Sequence, residues 1–144
     1  MIAVDTNILV YAHRADAPQH EAAEAALREL AGQASPFGIP WPCVSEFLAI
    51  TTHPGIYRPP STATQALAAV RALESLPNAR LLGETVSHFG VLEGSVGPGV
   101  TGPKWHDARI AAICLAHGVS ELWTADRDFS YFPKLRTRNP LVPA

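Results

Sequence analysis

The chain has 144 residues and a formal net charge of −2, with 47% hydrophobic and 17% charged residues. This composition excludes an intrinsically disordered chain, and the length predicts a single domain spanning residues 1–144. A sequence pI near 6.3 excludes a uniformly basic nucleic-acid-binding protein, although it allows a local basic patch.

The N-terminal part predicts a buried strand followed by two helices. Residues 2–4 are all apolar, which favours a central strand buried on both faces. Residues 5–7, Asp-Thr-Asn, are helix-capping types, and an apolar stretch follows them. A second helix is predicted over residues 19–31, with its start at residues 16–18 and its stop at Gly32.

Two prolines complicate the next segment. Residues 39–44 predict a short strand interrupted by Pro40 and Pro42. A helix is predicted over residues 45–52, with Ser45 as its N-cap.

The middle of the chain gives clearer signals. Residues 62–65, Thr-Ala-Thr-Gln, match a capping box and open a helix with apolar residues at helical spacing. Residues 79–82 predict a strand. The segment 93–104 contains four glycines and two prolines, so it is predicted to be a loop that leads into a helix over residues 105–117.

Residues 122–125 predict another strand, and residues 136–138 predict a last strand at the edge of the sheet. Strands and helices therefore alternate along the chain. This alternation predicts an α/β fold with a parallel sheet and helices on both faces.

Carboxylates lie where these strands and helices meet. Asp5 follows the first strand and Asp126 follows the strand at 122–125, while Glu46 and Asp107 open predicted helices. Because the carboxyl ends of parallel strands meet at one crevice, these acids are expected to converge there. Several carboxylates without a basic partner repel one another unless a cation lies between them, which predicts a divalent-metal site and phosphoryl-transfer chemistry.

Each acid also has a purely structural explanation. Asp5 could cap the following helix, although Thr6 could do so from the next position. Glu46 and Asp107 could be first-turn acids favoured by the helix dipole, and the acids within residues 126–128 could be turn formers.

Mg²⁺ and Mn²⁺ prefer oxygen ligands, so four or five acids could hold one or two ions. Two ions roughly 3.5–4 Å apart could activate a water and stabilise the leaving oxygen of a phosphodiester, whereas with one ion a carboxylate could orient the water. The hydroxyls of Thr6 and Thr124 are expected to bond a carboxylate or a water of the ion.

Four motifs, taken together and in this order, resemble those of PIN-domain ribonucleases and, more narrowly, of VapC toxins from VapBC toxin–antitoxin pairs. The motifs are Met1-Ile-Ala-Val-Asp-Thr-Asn-Ile-Leu-Val-Tyr, Ser45-Glu-Phe, His106-Asp-Ala-Arg-Ile-Ala-Ala and Thr124-Ala-Asp-Arg-Asp-Phe, and the resemblance spans essentially the whole chain.

The resemblance implies a three-layer PIN-like fold whose central, mostly parallel sheet is flanked by helices. It implies an endoribonuclease that depends on Mg²⁺ or Mn²⁺ and cuts structured RNA such as tRNA or rRNA. It also implies a homodimer that is inhibited by a VapB-like antitoxin protein.

Carried over by motif, the resemblance assigns catalysis and metal binding to an acidic quartet consisting of Asp5, Glu46, Asp107 and Asp126. Asp128 is an auxiliary metal ligand, and whether it or Asp126 lies closer to the ion stays open. The implied supporting polar residues are Thr6, Asn7 and Thr124.

Contacts with RNA are expected from the C-terminal third, which holds six of the eleven Lys and Arg residues. The candidates near the motifs are His106, Arg109 and Arg127, and those beyond them are Lys134, Arg136 and Arg138. The alternative is that these are ordinary solvated charges.

The remaining features exclude several other classes. Cys43 and Cys114 lie among apolar neighbours and are expected to be buried free thiols, and the cysteines and histidines do not have zinc-site spacing. No secretory segment or membrane-spanning stretch is evident, so a cytoplasmic protein is expected.

Two other functions are considered besides the ribonuclease. One is an RNA- or protein-binding module with a catalytically weak site, and the other is a small-molecule phosphatase.

Overall fold

The computed structural model describes residues 1–143 and contains five β-strands, six α-helices and one 3-10 helix within that range. In chain order the elements are β1 (Ile2–Val4), α1 (Thr6–His13), α2 (His20–Gly32), β2 (Phe37–Pro40), α3 (Trp41–Thr51), α4 (Ala63–Glu74), β3 (Ala79–Leu82), α5 (His88–Ser95), α6 (Lys104–Ala116), β4 (Glu121–Trp123), the 3-10 helix (Arg127–Tyr131) and β5 (Thr137–Arg138).

The five strands form one sheet in the order β3-β2-β1-β4-β5, and every neighbouring pair is parallel. The predicted parallel α/β sheet is therefore confirmed, and it is parallel throughout rather than mostly. β1 lies at its centre, where Ala3 and Val4 are fully buried, as expected for an apolar strand covered on both faces.

The strand order explains why the fold has three layers. The chain moves from β1 to β2 to β3 in one direction and then returns past β1 to β4. Since parallel crossovers are almost always right-handed, the two directions place α1–α4 and α5–α6 on opposite faces. The direction reverses between β1 and β4, and a crevice opens there at the carboxyl ends of the strands.

The core fills the space between the sheet and both helical layers. Its largest buried side chains include Phe37, Phe47 and Trp123. Cys43 and Cys114 are buried free thiols, as predicted. None of the helices in residues 1–143 is both long and apolar enough to cross a membrane.

The prediction for residues 41–44 was wrong. These residues form the first turn of α3, and the strand ends at Pro40, which is the N-cap residue of that helix. Pro42 is compatible with a first helical turn because its missing N–H would have no intrahelical partner there. Ser45 is therefore not the cap, and Glu46 lies in the second turn of α3 rather than the first.

Other boundaries differ in smaller ways. The second helix begins at His20, since Asp16 forms an ion pair with Arg14 instead of capping the helix. The predicted loop at 93–104 is shorter at its start, because α5 extends to Ser95. The capping box at residues 62–65 is confirmed, with both of its hydrogen bonds present.

Candidate active site

The acidic quartet lines one cavity of about 280 Å³ at the carboxyl ends of β1 and β4. Each acid reaches it from a different element: Asp5 from the end of β1, Glu46 from α3, Asp107 from α6 and Asp126 from the segment after β4. The structure therefore brings together four acids that are as many as 121 positions apart in the chain (5 to 126). This convergence follows from the reversal of strand order between β1 and β4.

Asp5 is the most firmly held of these acids. It is 4% exposed and serves as the N-cap of α1, with its Oδ1 accepting a 2.8 Å hydrogen bond from the Thr6 backbone N–H. Its Oδ2 accepts a 2.6 Å bond from the Thr124 hydroxyl. Asp5 thus caps the helix and lines the cavity at once, so its role as a cap does not keep it out of the cavity.

Thr6 does not cap α1, contrary to the alternative considered from the sequence, because it is already the first helical residue. Its hydroxyl instead donates a 2.8 Å hydrogen bond to Oε2 of Glu46. This bond links α1 to α3 and fixes the carboxylate of Glu46 beside Asp5. The hydroxyls of Thr6 and Thr124 both bond a carboxylate, which is one of the two kinds of partner expected from the sequence.

Asn7 and Thr124 connect α1 to the segment that follows β4. The side-chain oxygen of Asn7 accepts a 3.1 Å hydrogen bond from the backbone N–H of Ala125. The Thr124 hydroxyl, while donating to Asp5, also accepts a 2.9 Å bond from the backbone N–H of Asp126. These bonds set the position from which Asp126 enters the cavity.

Asp107, Asp126 and Asp128 form a second grouping, in which one carboxylate oxygen from each lies within 4.8 Å of the others. Asp126 caps the 3-10 helix by accepting a 2.8 Å hydrogen bond from the backbone N–H of Asp128. Asp128 is exposed and is not among the residues that line the cavity. Asp126 therefore belongs both to the quartet and to this second grouping, whereas Asp128 lies outside the cavity.

The electrostatics of the cavity are those of crowded like charges. Burial raises the pKa of Asp107 to about 7, with further contributions from the charges of Asp126, Asp5, Asp128 and Glu46. Burial is also the main cause that raises the pKa of Asp5 above its usual value. Within residues 1–143, no Lys or Arg forms an ion pair with any of these five carboxylates.

This donor set fits a hard divalent cation. It offers carboxylate oxygens with no basic side chain to neutralise them, and Mg²⁺ and Mn²⁺ favour such ligands. In the described residues the Asp107 carboxylate accepts no protein hydrogen bond that would favour its charged form. A bound cation would supply the missing stabilisation.

Several residues at the site were missed from the sequence. The Cys43 thiol contacts Oδ1 of Asp5 at 3.6 Å. Burial raises the pKa of this thiol, so that it stays protonated. Tyr11 and Tyr57 also line the cavity. Tyr11 ends the first motif, but no signal in the sequence indicates Tyr57, because it lies in the loop between α3 and α4.

The candidate RNA-binding residues near the motifs are exposed, and none of them lines the cavity of the quartet. His106 and Arg127 are exposed beside Asp107 and Asp126. Arg109 is also exposed, but its Nε lies 2.5 Å from Oε1 of Glu84 and forms an ion pair there. Arg138 stacks on Trp123 at 5.0 Å, and with Arg127 it lines a second cavity that shares Asp126 with the first.

Comparison with known proteins identifies relatives over almost the whole chain. The family model described as PIN domain matches residues 2–135. Ribonuclease VapC43 of Mycobacterium tuberculosis is 35% identical over 144 residues, covering 98% of this chain and 96% of the relative. Ribonuclease VapC48 of the same species is 30% identical over 140 residues, covering 94% of each chain.

Solved structures show the same fold. The Mycobacterium tuberculosis toxin VapC20, described as cleaving the sarcin-ricin loop, matches with a TM-score of 0.67 at 18% identity, covering 90% of this chain and 93% of that one. VapBC2 from Rickettsia felis, described as bound to a DNA fragment from its promoter, also matches with a TM-score of 0.67, at 17% identity and with coverages of 96% and 98%. At these identities the likeness concerns the fold alone.

Proposed function

Because the chain belongs to the PIN-domain family, we propose that it is a metal-dependent endoribonuclease and the toxin of a type II toxin–antitoxin pair. Its reaction is hydrolysis of phosphodiester bonds in structured RNA, tRNA or rRNA. The relatives named VapC ribonucleases support the reaction class. Residues 1–144 act as a single domain in this proposal.

The observation that carries the proposal is the common cavity of the acidic quartet. Carboxylates that only capped helices or formed turns would have no reason to face one another. Here burial, with further contributions from the neighbouring acids, raises the pKa of Asp107 to about 7, which costs the folded protein stability in the absence of a cation. Such an arrangement is typical of a functional site rather than of a structural one.

In the proposed site the acidic quartet holds Mg²⁺ or Mn²⁺, and Asp128 assists from the outer side. When bound, the ion supplies Lewis-acid stabilisation of the charge that develops on the phosphate. Asp5 and Glu46 act as fixed ligands, because both are held by hydroxyl groups of neighbouring elements. Thr6, Asn7 and Thr124 keep them in place, as outer hydrogen-bond partners do around metal ligands.

The residues of the chain also orient the substrate. His106, Arg109 and Arg127 are exposed, and in this proposal they contact the phosphates on either side of the bond that is cut. Asp107 accepts no protein hydrogen bond in the described residues, so its free oxygens are available to orient the attacking water for in-line displacement.

The partners of this protein follow from the same proposal. The toxin is a homodimer located in the cytoplasm. A VapB-like antitoxin binds this homodimer and blocks the site. Solved structures with this fold include toxin–antitoxin complexes, among them one from Klebsiella pneumoniae. Dimerisation is checked by light scattering at micromolar concentration, where a mass near 15.4 kDa would indicate a monomer.

The purified protein tests the reaction directly. We expect it to cut RNA in the presence of Mn²⁺ or Mg²⁺, to stop cutting in EDTA, and to lose the activity in Asp5→Asn. Glu74→Gln removes an exposed carboxylate from α4, outside the cavity, and serves as the matched control. Sequencing the 5′ ends of the fragments identifies the RNA and the bond. Equal cutting by wild type and Asp5→Asn would contradict the mechanism.

Calorimetric titration with Mn²⁺ separates this proposal from its rival, a binding module with a weak site. Metal binding that is lost in Asp107→Asn supports the enzyme. RNA binding that is unaffected by both metal and Asp107→Asn, without cutting, would support the module instead.

A further inference from the structure

The cavity has a second wall with a different chemistry. Besides the quartet it is lined by apolar and aromatic side chains, namely Val10, Tyr11, Ile50, Ile56 and Tyr57. These side chains are not expected to bind a divalent cation, because none of them carries a negative charge. The wall is suited to a ligand with an apolar, flat part next to the part that the carboxylates hold.

Two of these side chains belong to the loop between α3 and α4, and that loop is fixed to the body of the protein. Its ends are joined by a 2.8 Å hydrogen bond from the Ser61 backbone N–H to the Thr51 carbonyl. Within it, the backbone N–H of Tyr57 donates to the carbonyl of His53 at 3.1 Å. Ile56 and Tyr57 are thus presented to the cavity by a closed turn.

Arg14, just after α1, is the residue that fastens this loop. Its guanidinium donates to the carbonyl of Pro59 at 2.9 Å and to the hydroxyl of Ser61 at 3.1 Å. Asp16 accepts two further bonds from it, at 2.9 and 2.8 Å. The Arg14 side chain is only 12% exposed. Its hydrogen-bonding capacity is therefore directed at the protein and not at an RNA phosphate.

The same guanidinium lies over the ring of Tyr57, with its carbon 4.5 Å from the ring centroid. A cation over one face restrains an aromatic ring. The ring that lines the cavity is held in this way by a side chain outside the cavity. Burial and the nearby Tyr11 raise the pKa of Tyr57, so its hydroxyl stays a hydrogen-bond donor.

We propose that Tyr11 and Tyr57 form a nucleobase subsite beside the acidic quartet, and that Arg14 is the positioning residue that holds Tyr57 in it. The subsite rests on the proposed function, because it takes the base of a nucleotide adjacent to the phosphate that is cut. Of the parts of an RNA strand, only the base is flat and apolar on its faces, and base–tyrosine stacking tolerates any sequence. A base that enters this wall has left its own stack, so the bond that is cut adjoins an unpaired nucleotide.

The test compares ligands that differ only in the base. Nucleoside 5′-monophosphates and ribose 5-phosphate are titrated in Mg²⁺ and followed by NMR, with no hydrolysis required. In the wild type we expect the four nucleotides to bind roughly five- to a hundredfold more tightly than ribose 5-phosphate, as base–aromatic stacking provides. In Tyr57→Leu this ratio should fall towards one, while the affinity for ribose 5-phosphate stays unchanged.

Matched variants isolate the ring. Tyr57→Phe keeps it and should keep most of the ratio. Tyr131→Leu removes a tyrosine that also has a cation over its ring, with Lys104 Nζ at 4.0 Å, but that does not line the cavity. The ratio should be unchanged in Tyr131→Leu.

The role of Arg14 is tested by the same ratio. Arg14→Gln should lower it at least severalfold without changing the binding of ribose 5-phosphate, because the ring loses its restraint. Arg28→Gln removes an exposed arginine of α2 that pairs with Glu24 and should have no effect. A purely structural defect would lower both affinities together, and thermal unfolding shows which variants are folded.

The proposal of a base subsite is wrong if the wild type binds ribose 5-phosphate and the nucleotides equally tightly. It is also wrong if the ratio of nucleotide affinity to ribose 5-phosphate affinity is unchanged in Tyr57→Leu. Neither result depends on whether RNA is cut. If the ratio behaves as expected and RNA is not cut with any metal, the subsite stands and the proposed function is wrong.

Discussion

Removal of one charge from the acidic quartet should stabilise the metal-free protein. Asp107→Asn keeps the shape of the side chain but removes the carboxylate whose pKa is raised to about 7 by burial and by the neighbouring acids. A carboxyl group with a raised pKa binds its proton more tightly in the folded chain than in the unfolded one. The free energy of unfolding of the wild type therefore falls as pH rises from about 4 to about 7.

The magnitude follows from the size of the shift. From 3.8 to about 7, at about 1.4 kcal/mol per pKa unit, the upper limit is roughly 4 kcal/mol. Asp107 is only half-buried, and solvent screens its interaction with the other acids. We therefore expect Asp107→Asn to be more stable than the wild type by about 1–2 kcal/mol above pH 7.

Urea unfolding in EDTA at pH 5 and pH 8 measures this difference. It should be clearly smaller at pH 5 than at pH 8, and Glu74→Gln controls for the change in net charge. Added Mn²⁺ should stabilise the wild type more than Asp107→Asn, since an ion bound only by the folded state adds to its stability. If Asp107→Asn is no more stable than the wild type at pH 8 in EDTA, the acids do not repel one another as argued.

Three further changes test the scaffold around the site by urea unfolding or by the rate of RNA cleavage. Thr62→Ala removes the capping box of α4 and should lower the free energy of unfolding by about 1 kcal/mol, with cleavage unchanged. Gly38→Ala would place a Cβ 2.5 Å from Cδ1 of Leu82 and should cost about 1–3 kcal/mol of stability. Thr124→Val removes the 2.6 Å hydrogen bond to Asp5 and should slow cleavage roughly 10- to 100-fold, whereas Thr124→Ser should retain most of the rate. A Thr124→Val protein that cuts at the wild-type rate would show that this bond does not matter for catalysis.

The sequence predicts the sheet and the meeting of the acids for the same reason. Short apolar runs followed by Asp5 and Asp126 indicate buried parallel strands, and parallel strands bring their carboxyl ends to one edge. That inference does not need the exact length of any element. The inference that the acids meet was correct although residues 41–44 were wrongly assigned, because moving the start of α3 by one turn still leaves Glu46 at this edge.

The second wall of the cavity could not be predicted in this way. Tyr57 lies in a loop, and neither periodicity nor a capping pattern relates a loop side chain to a distant strand end. Its place depends on the contacts of Arg14 with Pro59 and Ser61, which are 45 and 47 positions away in the chain. Asp16 was interpreted as a helix start, whereas it forms an ion pair with Arg14, the same residue that fastens this loop.

The same structural feature both creates the repulsion in this cavity and limits its consequences. The reversal of strand order between β1 and β4 opens the crevice into which the quartet is directed. It also makes β1 and β4 neighbours, so that Thr124 can donate to Asp5 while accepting from the backbone of Asp126. These bonds favour the charged form of Asp5, whereas Asp107 on α6 has no such partner among residues 1–143. Burial and repulsion therefore act most strongly on the one acid of the quartet that accepts no hydrogen bond among residues 1–143, and that acid is where a cation should change stability most.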